Sequence, residues 1–451
     1  MRQSARGRNG SVRSAIAAIH PRQRRPLRSG HRTSGATHAL LAVPTLGFAL
    51  AAATVTTYLP VVVADSAGSA TAIGALIAVQ GVLALFLPVV VGARSDRLRT
   101  RIGGRLPFVL AGVPVMALAL VLLGLQDELW PALAIVTVLF AAYYVAYEPY
   151  RSMYPDLVSV RDAGRSQSAQ AVARGIGTAL ALVGGGLLLA IDETVPFVVA
   201  AGVLLATTGA FVWALLRREL PLQEEPVGAM RARAAFREVR RLLAELPGLR
   251  AFFAANALWE GALAAISTFV VLWVTDGLGL SLPAAAGVIG AGGACVLVGA
   301  ALAGRLAERF GTRRVVRATA VTYGAPMIVP FLFDETALLV PMIPLIAASA
   351  GIMMALPYAM LIPMMPRADH GLVTGIYSMS RGVGIVLGPL LAGAAIQAQQ
   401  ALGTPLGTVE YSALWLVAGL LLLVSVPLLG MCRQVPTRGR LVARAAREPG
   451  R

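Results

Sequence analysis

Apolar residues along this chain come in unbroken blocks rather than at the three-and-four spacing of an amphipathic helix. The blocks run 39–63, 71–93, 107–125, 130–150, 167–190 and 195–216, and after a polar break 249–274, 281–303, 315–333, 337–365, 371–398 and 409–430. Most are about 20 residues long, which at ~1.5 Å per residue carries a helix across ~30 Å of hydrocarbon. Backbone groups in lipid must be satisfied within the segment, so helices are the expected form. The pattern predicts an all-α polytopic membrane protein with twelve transmembrane helices. The tenth block is long and contains Pro341, Pro344, Pro357 and Pro363.

Composition agrees with the pattern. Of 451 residues, 57% are hydrophobic and 14% charged, where a soluble domain carries nearer a quarter charged. A single soluble core could not bury that surplus.

Charge adds orientation. All 39 basic residues are arginine, and nine of them crowd the first 37 positions, which hold no acid. The rest lie in 94–105, 151–165, 217–250, 305–317 and 433–451, at Arg367, and at Arg174 and Arg381 within spans. The alternate loops have none and carry Asp65, Asp127, Glu128, Asp192, Glu193, Asp276, Asp334 and Glu335. The positive-inside rule then places both termini and the central loop in the cytoplasm of a multi-pass cell-membrane protein. The net charge of +17 is spread over every inner loop. That distribution fits contact with anionic lipid headgroups and argues against nucleic acid as a partner.

The blocks divide into a disordered arginine-rich tail (1–38), a six-helix bundle (39–216), a central loop (217–248), a second six-helix bundle (249–430) and a short tail (431–451). Within the central loop, Arg231 to Leu246 has the pattern of an amphipathic helix lying at the inner surface. The halves repeat. Pro149-Tyr150 with Pro155 matches Pro357-Tyr358 with Pro363, and Ala173-Arg174-Gly175-Ile176-Gly177 matches Ser380-Arg381-Gly382-Val383-Gly384. Gly92 with Asp96-Arg97 matches Gly304 with Glu308-Arg309 in the same order. Such duplication is typical of transporters in which two bundles rock about a central site.

The loop after the second span reads Gly92-Ala-Arg-Ser-Asp96-Arg97, then Arg101, Gly103, Arg105 and Pro107-Phe108. It resembles the loop signature of the major facilitator superfamily. Its longer form, with Pro149-Tyr150 and Pro155-Asp156, looks like the glycoside–pentoside–hexuronide cation symporters and the sucrose-transporter branch. The resemblance implies the major facilitator fold, two pseudo-symmetric six-helix bundles, and alternating access. It also implies that Asp96 and its arginines latch one conformation, and that the span-5 arginine is associated with substrate. Physically, Gly92 would let two helix ends approach. A carboxylate at Asp96 near a helix N-terminus would bias a two-state equilibrium by about 0.3–1 kcal/mol.

Glu148, Arg174, Glu260 and Arg381 fall within spans. Charge in hydrocarbon is costly, so each should face a cavity or a partner. Glu260 lies about 16 Å from the inner end at ~1.5 Å per residue, near the midplane. With Asn256 one turn earlier and Trp259 beside it, it offers a carboxylate, an amide and an indole, which is what a sugar or polyol site uses. As an unpaired carboxylate it could also carry the coupling proton. Gln80 and Tyr144 are further candidates for the same cavity. Glu148 shares a helix face with Tyr144 and Arg151, and is expected to pair with Arg151 or Arg174 as an inner gate. Arg174 and Arg381 occupy equivalent repeat positions; snorkelling to the inner interface is their alternative.

The glycines at 382–388, 184–186 and 290–293 sit inside apolar spans with no strand before them, so helix packing explains them better than nucleotide binding. Cys295 reads as an apolar filler and Cys432 as a surface thiol, and no His or Cys spacing makes a metal site. A membrane enzyme would need a nucleophile–base set at depth, and a sensor a soluble domain; neither pattern is present. The reading is a secondary transporter of a small polar solute, sugar or glycoside favoured, coupled to H+. A drug or metabolite exporter is the alternative.

Overall fold

The computed structural model describes residues 35–95, 97–98, 100–157, 163–217, 232–333, 341–361, 364, 370–402 and 409–432. Asp96, Asp334, Glu335 and Arg367 lie outside the described residues, as do the arginine-rich tail 1–34 and the tail 433–451. The first six membrane helices are α1 (Gly35–Val62), α2 (Ala70–Ser95), α3 (Leu106–Leu123), α4 (Leu129–Leu157), α5 (Ala163–Ala179, continued to Leu189) and α6 (Val195–Arg217). The second six are α7 (Pro247–Leu272), α8 (Leu282–Phe310), α9 (Thr312–Met327), α10 (Met342–Leu361), α11 (His370–Leu402) and α12 (Ala413–Met431). Eleven are long and apolar enough to cross a membrane; the twelfth, α10, is apolar over the shorter stretch Met342–Pro357.

The helix starts follow from local chemistry. Pro247 occupies the first position of α7 after an extended Leu246, where a missing N–H costs nothing. Pro107 plays the same part in α3. Gly103 in the preceding loop has φ +85°, a left-handed conformation that favours glycine. In α5 the regular turn widens over Leu180–Gly184. The Tyr58 hydroxyl of α1 donates to the Leu182 carbonyl there.

Two cores form, one per half. Phe48, Phe140, Phe197 and Phe211 sit in the first, and Phe252, Trp259, Phe269 and Trp415 in the second. Leu118, Val172, Trp213 and Val424 are exposed on the outside, where lipid rather than water meets them. The fold is an all-α membrane protein of two six-helix bundles.

The halves meet where α1 packs on α7, with Tyr58 and Val271 in one small apolar cluster, and along two glycine-lined seams. Along α2 and α11, a Cβ on Gly81 would fall 2.6 Å from the Gly382 carbonyl. Gly74 likewise packs on Pro389, and Gly393 on Ala70. Thr71 donates to Gln397 at 2.5 Å near the ends of these helices. Along α5 and α8, Gly186 packs on Ala286 and Gly290 on Val183. These contacts lie toward the acidic-loop end of the molecule. At the arginine-loop end, α4 and α10 have no extensive packing with the opposite half among the described residues. Gly92, expected to bring helix ends together, faces open space. The bundles are joined at one end and parted at the other.

Beneath the parted end lies the helix Ala232–Glu245, which reaches α2, α7 and α11. Val239 and Leu242 are buried, and Phe236 packs on Phe86 with ring centroids 6.3 Å apart. Arg237, Arg240 and Arg241 face outward, as the amphipathic pattern predicts.

Candidate functional site

Glu260 is held by α7 at its midpoint, the fourteenth residue of a 26-residue helix. Its neighbour is α11, which approaches because small residues face each other: Gly384 lies against Ala257 and Gly261, and Gly388 against Gly261. That proximity brings Arg381 onto the carboxylate, with Nε 3.2 Å from Oε2. The Nε–H is not aligned for a hydrogen bond. The pair is therefore an ion pair held by charge, which depends on distance more than on angle. Tyr377, one turn before Arg381, donates to the other carboxylate oxygen at 3.3 Å.

This corrects the expectation of an unpaired Glu260. Sequence spacing shows which residues share a helix, and Arg381 comes from a different one, 121 positions away. Arg381 also does not snorkel to the interface. Its side chain turns to Glu260 yet stays 43% exposed, against 16% for Glu260, so the pair is open to solvent on the arginine side.

Asn256 shares the α7 face toward α11, where its amide donates to Ser380 Oγ at 2.8 Å. It is buried, and its carbonyl oxygen has no protein partner. Trp259 is not brought to this face. Its indole donates to Ser425 Oγ of α12 at 2.7 Å inside the second core, because one residue along a helix is a turn of about 100°.

From the first half, α4 contributes a stripe of tyrosines. Tyr143 and Tyr147 stack at 4.9 Å, Tyr144 packs edge-on to Tyr143 at 5.1 Å, and Phe48 of α1 closes on Tyr147 at 5.2 Å. Tyr144 donates to the Gln80 carbonyl at 3.3 Å. That bond uses the backbone of Gln80, whose side chain is buried. Arg174 of α5 donates to the Tyr147 hydroxyl at 2.8 Å. Glu148 and Arg151 approach to 4.0 Å, the weaker of the two ion pairs, and Arg151 also lies over the Tyr147 ring at 5.6 Å. The two halves face each other here: Arg381 is within electrostatic range of Tyr143, Tyr144 and Arg151, and Arg174 of Tyr143 and Tyr377.

Sequence reasoning missed Tyr143, Tyr147, Tyr377 and Ser380. A signal existed in the tyrosines at 143, 147 and 150, spaced by four and three, which is one helix face. The repeat also misled on symmetry. The position matching Tyr147 in the second half is Ala355, so Arg381 lacks the partner that Arg174 has and turns to α7 instead.

In the loop after α2, Arg97 and Arg101 sit at the surface, and Arg105 bonds the Ser152 carbonyl at the end of α4. Cys432, read as a surface thiol, is buried at the end of α12, and burial pushes its thiol up to about 11. No cluster of three His, Cys, Asp or Glu suited to a metal occurs among the described residues.

Two helical bundles with charged and hydroxyl groups between them have the build of a multi-pass membrane transporter. The chain belongs to the Major Facilitator Superfamily, whose pattern it matches over residues 41–302 and 263–450. It is therefore a secondary transporter of small solutes and not an enzyme. Among curated proteins none matches the sequence significantly. Solved structures share the fold at low identity. A mutant of the nucleoside transporter NupG superposes with a TM-score of 0.70 at 14% identity, covering 88% of this chain and 99% of that one. An inward-facing, occupied bacterial homologue of the human lysosomal transporter Spinster gives 0.68 at 15%, covering 88% and 98%. A variant of the E. coli fucose:proton symporter FucP gives 0.60 at 15%, covering 89% and 99%.

Proposed function

We propose that this protein moves a small polar solute, a sugar or glycoside, in symport with a proton, and that the Glu260–Arg381–Tyr377 cluster is its coupling centre. The observation that carries the reading is an ion pair at mid-height of α7, reachable by solvent and faced by the tyrosines of the opposite half. A carboxylate shared between a guanidinium and a proton can exchange one for the other as the bundles move. Tyrosine hydroxyls supply donors and acceptors of the kind a polyol needs. The fold shared with a fucose:proton symporter supports the same direction. With the cytoplasm at the arginine loops, the conformation is open inward, and both termini, the central loop and the segment around Asp96 lie on that side.

Uptake by proteoliposomes tests this. An inward proton gradient should drive accumulation of labelled sugars or glycosides by the parent protein. Glu260→Gln should lose gradient-driven accumulation and keep exchange of solute across the membrane. If the variant accumulates solute as the parent does, with the same pH profile, the coupling role is wrong. Extrusion of lipophilic cations with no sugar uptake would favour an exporter instead.

A further inference from the structure

We infer that α5 carries a one-residue register switch, latched by Tyr58, which governs whether the two halves close at the acidic-loop end. The inference does not depend on what the protein carries or what it couples to. The widened turn Leu180–Gly184 divides α5, with Ala163–Ala179 before it and Gly185–Leu189 after it. Such a turn houses one residue more than an α-turn. Each residue after it therefore stands where its predecessor would stand in an uninterrupted helix, a rotation of about 100°.

The residues across the turn make the two registers equivalent at the contacts that follow it. They read Gly184-Gly185-Gly186-Leu187-Leu188-Leu189. In this conformation a Cβ on Gly185 would run into the Tyr58 ring, and one on Gly186 would lie 2.8 Å from Ala286 Cβ and 3.0 Å from Tyr58 Oη. Leu189 packs with Tyr58 and Val271 in the small cluster between the halves. Drawing the extra residue out of the turn would put Gly184 against Tyr58, Gly185 against Ala286 and Leu188 in the cluster. Each contact keeps the residue type it needs. A Cβ on Gly184 would meet nothing within 4 Å, so this conformation does not require a glycine there. The second register does.

Tyr58 chooses between the registers. It is buried, covered by Val271 of α7 and by Leu282 and Ile289 of α8, and its hydroxyl donates to the Leu182 carbonyl inside the widened turn. A buried hydroxyl without an acceptor is costly, and the irregular turn supplies a carbonyl to meet it. The covering side chains all belong to the second half. When they withdraw, water reaches the phenol, the bond to Leu182 loses its advantage, and the regular register with its full backbone ladder is favoured. The widened turn thus goes with closure at this end, and the uninterrupted helix with opening.

Single substitutions separate the registers. The readout is the rate at which purified full-length protein, with Cys295 and Cys432 replaced by serine, reacts with a bulky polar maleimide at a cysteine placed at Val271, which is buried under the closure. Gly184→Ala fits the present register and would strike Tyr58 in the other, so it should slow labelling several-fold. Gly186→Ala strikes Ala286 now and would take the exposed place of Leu187 after the slip, so it should speed labelling several-fold. Both exchanges raise helix propensity alike, so opposite signs come from register. Tyr58→Phe removes the latch and should speed labelling about fivefold, the worth of one net hydrogen bond. Gly184→Ala reacting at the parent's rate would overturn the inference, and so would a change of the same sign from both alanines. Unchanged labelling of Tyr58→Phe at an unchanged melting temperature would overturn the latch. Should Gly186→Ala fail to fold, the other two variants decide the question.

Discussion

Glu260 shows how a charge is kept in the middle of a membrane. The side chain does not snorkel; it sits 3.2 Å from Arg381 and accepts from Tyr377. Breaking a fully buried ion pair costs about 3–5 kcal/mol. Here Arg381 is 43% exposed, so screening cuts the loss to roughly 1–2 kcal/mol, between the buried and surface limits. Removing either partner should therefore lower the melting temperature of the purified protein modestly. The swapped double variant Glu260→Arg/Arg381→Glu should recover more than half of the summed loss, a coupling that a double-mutant cycle reads directly. Additive losses in the cycle would mean the two side chains do not support each other. Asn256, buried with an unpaired carbonyl oxygen, and Trp259, turned into the second core, are packing residues of α7 in this conformation. The sequence placed all three beside one another; only Glu260 reaches the solvent between the bundles.

At the scale of helices, glycine decides where the two halves touch. Seams between α2 and α11 and between α5 and α8 rest on Gly74, Gly81, Gly186, Gly290, Gly382 and Gly393, which allow one helix to lie on another's backbone or small side chains. The carbonyl of Pro389 stands where a Cβ of Gly74 would be, so a larger residue there must push α2 off α11. In a background with Cys295 and Cys432 replaced by serine, cysteines at Thr71 and Gln397 should cross-link readily with a short bifunctional thiol reagent. Adding Gly74→Leu should cut that cross-linking several-fold at unchanged protein level. Undiminished cross-linking would show that this contact does not hold the seam. The same logic accounts for Gly92, which faces open space in this conformation. A glycine in a loop signature reads as a close approach, but at the parted end no helix is near enough to use the space.

For the molecule as a whole, orientation follows from arginine placement. Cysteines introduced at Asp127 and Asp192 should react with a membrane-impermeant maleimide added from outside intact cells, while those at Arg101 and Arg309 should react only after permeabilisation. Labelling of Arg101 or Arg309 positions from outside would reverse the topology and with it the inward-open reading. If the topology holds, closure at the Asp127 and Asp192 end and separation at the Arg101 end make this an inward-open state. The surface helix Ala232–Glu245 then lies on the cytoplasmic side with its arginines outward.

The chain's own pattern determined the number of spans and the two-bundle division, because twenty-residue apolar blocks are local properties; the transporter class came from the internal repeat and the resemblance carried by the loop after the second span. Helix ends differed from the block ends by up to seven residues. The pattern also singled out Glu260, Arg174 and Arg381, since a charge inside an apolar block is visible without any fold. Which charges meet was not visible. Pairing of Glu260 with Arg381, of Arg174 with Tyr147, and of Asn256 with Ser380 depends on how α4, α5, α7 and α11 rotate and approach. That geometry is fixed by glycine contacts between helices far apart in sequence. A repeat in sequence suggested equal surroundings for the two arginines. Tertiary structure made them unequal, because the second-half position equivalent to Tyr147 is Ala355, and an arginine inside a membrane span turns to whichever partner it can reach.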